Sequence, residues 1–385
     1  FNPPPARLDL PLENHDAARG AQRPVGKADF VRADQARNRN AARNQGAPVT
    51  KVFQLPTCPS NPDTLPIGPQ YPWLAPLAGY SDLPFRLLCR EYGAAVCVTE
   101  MVSAKGLVYE SPGTNELLMT LPEDQPLVVQ LFGAEALFLG RAVGLLRQAG
   151  YGWFDLNMGC SVSKVLRQGA GAAMLGDVEN ILVVARAMIE AAGRGRVGFK
   201  LRLGLDDARP VLPDLALRLE DAGAGWLTLH PRTARQGFGG TAQWDAIASL
   251  AQRLSIPLLA SGDLFTAADG IACLESTGAS GLMYARGAMH NPAIFADHAT
   301  LLAGSPVEQA DGPRLRAMIS RHLQLARAHC PGKAALWKMR SVVPRYVRTL
   351  PGARALRQEL CHCSDWEELD RLLDIYLGSQ NGQNT

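Results

Sequence analysis

Trp153-Phe154-Asp155-Leu156, running straight into Asn157-Met158-Gly159-Cys160, is the stretch on which the reading of the fold turns. A short, mostly apolar run gives way at once to an amide, a glycine and a thiol. Runs of this length flanked by Gly or Pro suit strands buried on both faces of a parallel sheet. The same phrase recurs in Tyr71–Leu77, Ala95–Thr99, Leu127–Leu131, Val197–Leu201, Trp226–His230, Pro257–Ala260 and Ser280–Tyr284. Helical patterns over 82–92, 135–149, 178–192, 210–222, 244–253, 266–276 and 291–301 fall between or after them. Eight strands alternating with helices over about 230 residues have the size of a (β/α)8 TIM barrel. An open doubly wound sheet would carry a dinucleotide fingerprint in its first turn, and none follows Tyr71–Leu77. The sequence predicts an α/β chain: a TIM barrel over 69–304 followed by a smaller all-helical domain over 305–385.

The flanks differ in kind from this core. Residues 1–68 are rich in Pro, Asn, Ala and Arg without a sustained period, and are expected to form a disordered extension. In the tail, Leu315, Ile319, Leu323 and Ala326 keep helical spacing. Ser364-Asp365-Trp366-Glu367 resembles a capping box opening a last helix over Asp365–Leu377. Pro344 is expected to end or kink the helix that begins near Lys333.

The net charge of +3 hides a division. Residues 71–311 hold 18 Lys+Arg against 24 Asp+Glu, whereas 312–360 hold 11 basic residues against the single acid Glu359. A solvated helix face mixes signs, so an acidic body with a basic appendage points to a polyanionic partner. The eight cysteines contain no CxxC pair, which suits a reducing compartment. Cys361-His362-Cys363 leaves the chain no room to turn between ligands, so no metal site is expected. With no bilayer-length apolar run and no signal-peptide pattern, a cytoplasmic protein without membrane contact is expected.

In such a barrel, chemistry gathers where the strands end. The first two strands end in Ala75-Pro76-Leu77-Ala78-Gly79 and Thr99-Glu100-Met101. The next three give Gln130-Leu131-Phe132-Gly133, Asn157-Met158-Gly159-Cys160 and Lys200-Leu201-Arg202. His230-Pro231-Arg232, Ser261-Gly262-Asp263 and Ala285-Arg286-Gly287 complete the ring. The last two follow the strands after which barrels usually hold a phosphate. Glycine lets backbone N–H groups approach an anion, and Arg286 offers a bidentate fork. Lys200 and His230 suit negative charge developing on a carbonyl or ring nitrogen, and Gln130 can pair with a ring edge as donor and acceptor at once. A flat phosphorylated heterocycle such as FMN fits these groups, although residue types alone do not separate FMN from a phosphosugar. Cys160 faces the ligand as nucleophile or general acid. No His or Asp adjoins it in sequence, which favours a neutral thiol that donates a proton.

The ordered motifs also carry a family resemblance. They are Leu74-Ala75-Pro76-Leu77-Ala78-Gly79-Tyr80-Ser81-Asp82-Leu83-Pro84-Phe85-Arg86, Thr99-Glu100-Met101-Val102-Ser103, Val129-Gln130-Leu131-Phe132-Gly133 and Asp155-Leu156-Asn157-Met158-Gly159-Cys160. Lys200-Leu201-Arg202-Leu203-Gly204, His230-Pro231-Arg232-Thr233, Ser261-Gly262-Asp263 and Arg286-Gly287-Ala288 follow. Across roughly 71–300 this series resembles the bacterial tRNA-dihydrouridine synthases, and the helical tail resembles their tRNA-binding domain more weakly.

The resemblance implies a flavin-dependent oxidoreductase, acting as a monomer, that binds FMN and uses NADPH to reduce the C5–C6 bond of a uridine in tRNA. It implies that Pro76, Leu77, Ala78, Gln130, Lys200, His230, Ser261, Gly262, Asp263, Ala285 and Arg286 line the FMN. Cys160 would be the general acid toward uracil C5, with Lys200 and His230 in the catalytic set. Asn157, Arg232, Lys333, Lys338 and Arg340 would contact substrate. The target base would leave its stack to reach the flavin, while the basic helices hold backbone phosphates.

Some positions depart from the family pattern. Ser161 stands where Pro usually follows the cysteine, Pro231 and Ser261 replace Gly and Asn, and Ala285 replaces Gly. Met339-Arg340-Ser341-Val342 replaces a pattern with Lys and His after the Arg. The alternatives are a flavin dehydrogenase of a free pyrimidine, of dihydroorotate type, and a phosphosugar lyase or isomerase with Lys200 as Schiff-base nucleophile. A non-catalytic RNA-binding module is a further one, against which Cys160, Lys200 and His230 argue.

Overall fold

The computed structural model describes residues 54–59, 62–308, 312–330, 332–348, 350 and 353–378. Nine strands run in chain order: β1 (Trp73–Leu74), β2 (Val96–Val98), β3 (Val102–Ser103), β4 (Leu127–Phe132), β5 (Trp153–Asn157), β6 (Val197–Arg202), β7 (Trp226–His230), β8 (Leu258–Ala260) and β9 (Gly281–Tyr284). All pair in parallel, and β3 merely extends the rim beside the end of β4. The other eight form a barrel, closed because β1 pairs with both β2 and β9 while β2 also pairs with β4.

Every strand predicted from the sequence is present. The first contracts to two residues because Pro72 and Pro76 bring no N–H to the ladder. Helices Leu83–Glu91, Ala136–Gln148, Val178–Ala192, Asp214–Ala222, Trp244–Ala251, Ala267–Thr277 and Ile294–Leu302 surround it. The fourth starts at Asp214 rather than 210, with Pro213 at its N-cap. Helices Ala104–Val108, Thr114–Leu118 and Arg286–His290 were not predicted; five residues are too few to show a helical period.

Three indoles fill the lower barrel. Trp226 lies 5.5 Å from Trp73 and 6.2 Å from Trp153, ring centre to ring centre. Val96, Val98, Val128, Leu259 and Met283 pack around them, and Leu65 and Ile67 close the layer. The expectation of disorder over 1–68 is therefore corrected for its last part. Pro62 and Pro66 give their carbonyls to the Trp153 and Trp73 indole N–H groups at 3.1 and 2.9 Å, and the Cys58 N–H donates to the Ala149 carbonyl at 2.8 Å. This segment has no regular period because it works as a plug and supplies carbonyls. Residues 1–53 lie outside the described residues.

Helices Gly312–His329, Lys333–Tyr346, Ala353–His362 and Trp366–Gly378 follow the barrel. The first of them packs on helix Leu83–Glu91, where the Phe85 and His322 rings lie 5.7 Å apart and Arg321 pairs with Glu91 at 2.6 Å. Pro344 sits two residues from the end of its helix, as expected of a stop. At the last helix, Asp365 Oδ1 accepts from the Glu368 N–H at 2.8 Å and Glu368 Oε2 accepts from the Ser364 N–H at 2.7 Å, so the cap falls on Asp365.

Gly198 on β6 stands opposite Trp226 on β7, and a methyl group there would sit inside the indole. Gly198→Ala is expected to cost about 1–3 kcal/mol, the usual price of overpacking. Gly144→Ala, where a methyl meets open space, is the control. Urea unfolding midpoints that do not differ between the two variants would refute this packing.

Candidate active site

The strand ends surround one cleft. Ala75, Pro76, Leu77 and Ala78 line it from the first strand, Gln130 from β4, and Asn157, Gly159 and Cys160 from β5 and the loop beyond. Lys200 and Arg202 come from β6, His230 from β7, Ser261, Gly262 and Asp263 from the turn after β8, and Ala285 and Arg286 from the end of β9. Every residue expected at the cofactor is thus in one wall or another, together with Cys160.

The Cys160 loop is held without the proline that Ser161 replaces. Asn157 Oδ1 accepts from the backbone N–H groups of Gly159 and Cys160 at 3.2 and 2.9 Å. Arg202 Nε donates to the Gly159 carbonyl at 2.8 Å, and the Ala172 N–H donates to the Cys160 carbonyl at 2.9 Å. A side chain at Gly171 would strike that carbonyl, so only glycine lets this crossing close. Asn157 lies in the cleft wall, but its amide is already committed to the loop and to Gln130.

Opposite, Gly262 and Asp263 both take positive φ, +106° and 57°. With no side chain at Gly262, the backbone of this turn is open to close approach by an oxyanion. Gly262 has no alternative, since a Cβ would lie 2.6 Å from the His230 ring. The Asp263 carboxylate accepts from Arg232 at 2.8 and 2.7 Å, from Arg286 at 3.0 Å and from the Ala242 N–H at 2.8 Å. The Arg286 guanidinium lies over Phe238 at 4.7 Å and Phe265 at 4.6 Å.

Positive charge dominates this end. Burial first, then Lys200, Arg202, Arg232 and Arg286, drive the His230 imidazole down to about 2, so it is neutral at any working pH. Arg232 Nη1 lies 3.3 Å from His230 Nε2. A guanidinium only donates, so Nε2 accepts and the ring proton sits on Nδ1. Burial also pushes the Lys200 ammonium down to about 8; Arg202 adds to the fall, while Asp155 and Cys160 oppose it.

Arg232 corrects the sequence reading. Expected to contact substrate, it is 1 % exposed, and its guanidinium is spent on Asp263 and on the carbonyls of Gly239 and Gly240. It holds the Gly237–Gly240 loop, which presents Phe238, rather than reaching the cleft. Lys338 pairs with Asp82 at 2.5 Å and ties the helical tail to the barrel. Arg340 donates to the Cys361 carbonyl, Lys333 is exposed, and neither lines the cleft. The sequence places Met101 and Arg202 at strand ends without a role, and gives no sign of Phe238 and Phe265 as lining groups. Only the glycines around Phe238 signalled a loop shaped for a purpose.

The charge of the tail is also partly spent internally. Arg316 pairs with Asp370 and Asp374, Arg327 with Asp370, Arg321 with Glu91 and Arg314 with Glu308. The acids Asp370 and Asp374 lie beyond residue 360, where the charge count was cut.

Burial raises the Asp263 carboxyl, but the Arg232 hydrogen bond, the Ala242 N–H and the two guanidinium charges outweigh it and leave the group below its ordinary 3.8. A depressed carboxyl adds stability that is present above its unfolded-state value and lost as the pH falls through the lower folded value. Asp263→Asn should cost about 3 kcal/mol at neutral pH, because buried Arg232 loses its partner. In denaturant titrations the gap to the parent protein should shrink below about pH 4; a gap constant from pH 7 to pH 3 would refute the ion-pair account.

Residues 73–380 match the sequence model of the family described as dihydrouridine synthase (Dus). A Synechocystis protein named "Probable tRNA-dihydrouridine synthase 1" is 34 % identical over 78 % of this chain and 84 % of its own length. A Mycobacterium tuberculosis protein named "Probable tRNA-dihydrouridine synthase" is 33 % identical over 78 % of this chain and 80 % of its own. The tRNA-dihydrouridine synthase B of Pseudomonas aeruginosa is 32 % identical over 76 % and 88 %. Motifs in order, a barrel that gathers them at one mouth, and likeness over nearly the whole of these relatives agree: the chain belongs to the dihydrouridine synthase family.

Proposed function

We propose that this enzyme reduces the C5–C6 double bond of a uridine in tRNA to dihydrouridine, with FMN as its cofactor and NADPH as reductant. The observation that carries the reading is the meeting of Cys160 with Gln130, Lys200, His230, the Ser261–Asp263 turn and Arg286 in one cleft. The residues fit the cofactor on chemical grounds. The positive-φ turn and Arg286 suit a phosphate, the cations that depress His230 suit an anionic group, and the amide of Gln130 suits the edge of a flat ring.

When bound in this cleft, FMN would supply hydride chemistry toward uracil C6, with NADPH as the reductant. The chain supplies the rest. Cys160 gives its thiol proton to C5, and one proton from solvent restores the thiol. Lys200 and the His230 Nδ1–H donate hydrogen bonds to negative charge on the ring system, His230 without losing its proton. Asn157 and Arg202 hold the loop that carries the acid.

The tRNA backbone is held by the tail. Lys333, Arg340, Arg345, Arg348, Arg354 and Arg357 make no ion pair among the described residues, and Trp337 is 63 % exposed among them. Arg345 lies 4.8 Å over the Tyr80 ring, on the loop after β1, and burial, then Arg348, Arg345 and Arg286, hold the His290 imidazole below its ordinary range. This continues the positive surface from helix to mouth, in an enzyme acting as a monomer in the cytoplasm.

The purified protein should be yellow, and a folded but flavin-free preparation would sink the proposal in favour of a phosphosugar enzyme. Cys160→Ala should keep its flavin and oxidise NADPH yet form no dihydrouridine by mass spectrometry; undiminished product would remove Cys160 from the mechanism. Arg345→Ala and Arg348→Ala should each weaken tRNA binding regardless of sequence and lower the salt slope by about 1. Unaltered binding would place the RNA elsewhere.

A further inference from the structure

Gln130 on β4 stands opposite Asp155 on β5, and from this pair a chain of hydrogen bonds runs to Cys160. Asp155 Oδ2 accepts from Gln130 Nε2 at 2.7 Å, and Gln130 Oε1 accepts from Asn157 Nδ2 at 2.8 Å. Asn157 Oδ1 then accepts from the Gly159 and Cys160 N–H groups at 3.2 and 2.9 Å.

Direction is the point. A primary amide donates at one end and accepts at the other, so it can sit either way round unless its neighbours forbid one. Here the two ends of the chain are of opposite kind: a carboxyl oxygen that accepts, and backbone N–H groups that only donate. Between such ends each amide has a single orientation. We propose that Asp155 is a positioning residue of the active site, which through Gln130 fixes the way round that Asn157 faces the Cys160 loop and so holds the thiol in place. The proposal rests on the reading of Cys160 as the acid of this site.

A purely structural role explains Asp155 poorly. It is 2 % exposed, and its other oxygen, Oδ1, has no partner among the described residues. Burial pushes the carboxyl up to about 7, against the Gln130 hydrogen bond and the Lys200 charge. A buried carboxyl oxygen left without a partner costs stability rather than adding it.

The test uses the full chain and the alkylation rate of Cys160 by iodoacetamide, read by peptide mass spectrometry against exposed Cys361. This readout needs neither cofactor nor RNA. Asp155→Leu removes the acceptor and Gln130→Met removes the middle of the chain. Each should speed alkylation about fivefold, the effect of losing one hydrogen bond of ordinary strength. Asp155→Asn keeps an acceptor and should restore the parent rate. An unchanged rate in Asp155→Leu or Gln130→Met overturns the proposal, as does an equal rise in Asp155→Asn. If Asp155→Leu does not fold, the other two variants decide alone. Parent protein that shows this pattern but makes no dihydrouridine would refute the functional reading and leave the positioning role standing.

Discussion

The ladder from β4 to β7 sets Gln130, Asp155, Gly198 and Trp226 in one row across four strands, with Asn157, Lys200 and Thr228 in the row two residues on. Strand side chains alternate, so both rows face the barrel interior while the residues between them face outward. Those outward residues, Val129, Leu131, Leu156, Phe199, Leu201, Leu227 and Leu229, are all fully buried against the helices. A slip of one residue on any strand would bury Gln130 or Lys200 in that apolar layer and turn a leucine into the cleft. Register is thus enforced by the hydrophobic effect, and the reactive groups are placed by residues that never touch a ligand.

Charge is organised on that frame by one acid. The cations Lys200, Arg202, Arg232 and Arg286 crowd the end of the cleft, and Asp263 holds two of them. Since one of the two, Arg232, also carries the Gly237–Gly240 loop, the same carboxylate shapes the roof of the site and tempers its potential. The remaining positive charge suits an anionic ligand, and with burial it keeps His230 a neutral donor beside three arginines and Lys200.

The barrel and the ring of strand-end residues were legible in the sequence because both are local signals. Buried strands announce themselves as apolar runs, and a polar residue directly after one has few places to go but the mouth. What was not legible depends on where side chains turn and on who meets them from afar. Arg232 follows β7 by two residues, yet its guanidinium is taken up by Asp263 and by the Gly239 and Gly240 carbonyls. Lys338 reads as a free cation until folding brings Asp82 from the far end of the sequence. The basic excess of the tail looked larger than it is because Asp370 and Asp374 return to Arg316 and Arg327. The segment from Gln54 to Gly68 gave no periodic signal at all, since its carbonyls and two apolar side chains act one at a time.

Trp226 and Gly198 show how such packing channels change over generations. The indole occupies the space a side chain at 198 would need, so any larger residue there is admissible only after the tryptophan has given way to something smaller. The reverse order leaves a cavity in the barrel, in the same row that carries Gln130 and Asp155. Either first step is harmful alone and tolerable only with its complement. The two positions are therefore expected to be inherited as a pair, and a lineage holding one of them without the other should show a compensating change in Trp73 or Trp153, the neighbours that share the same volume.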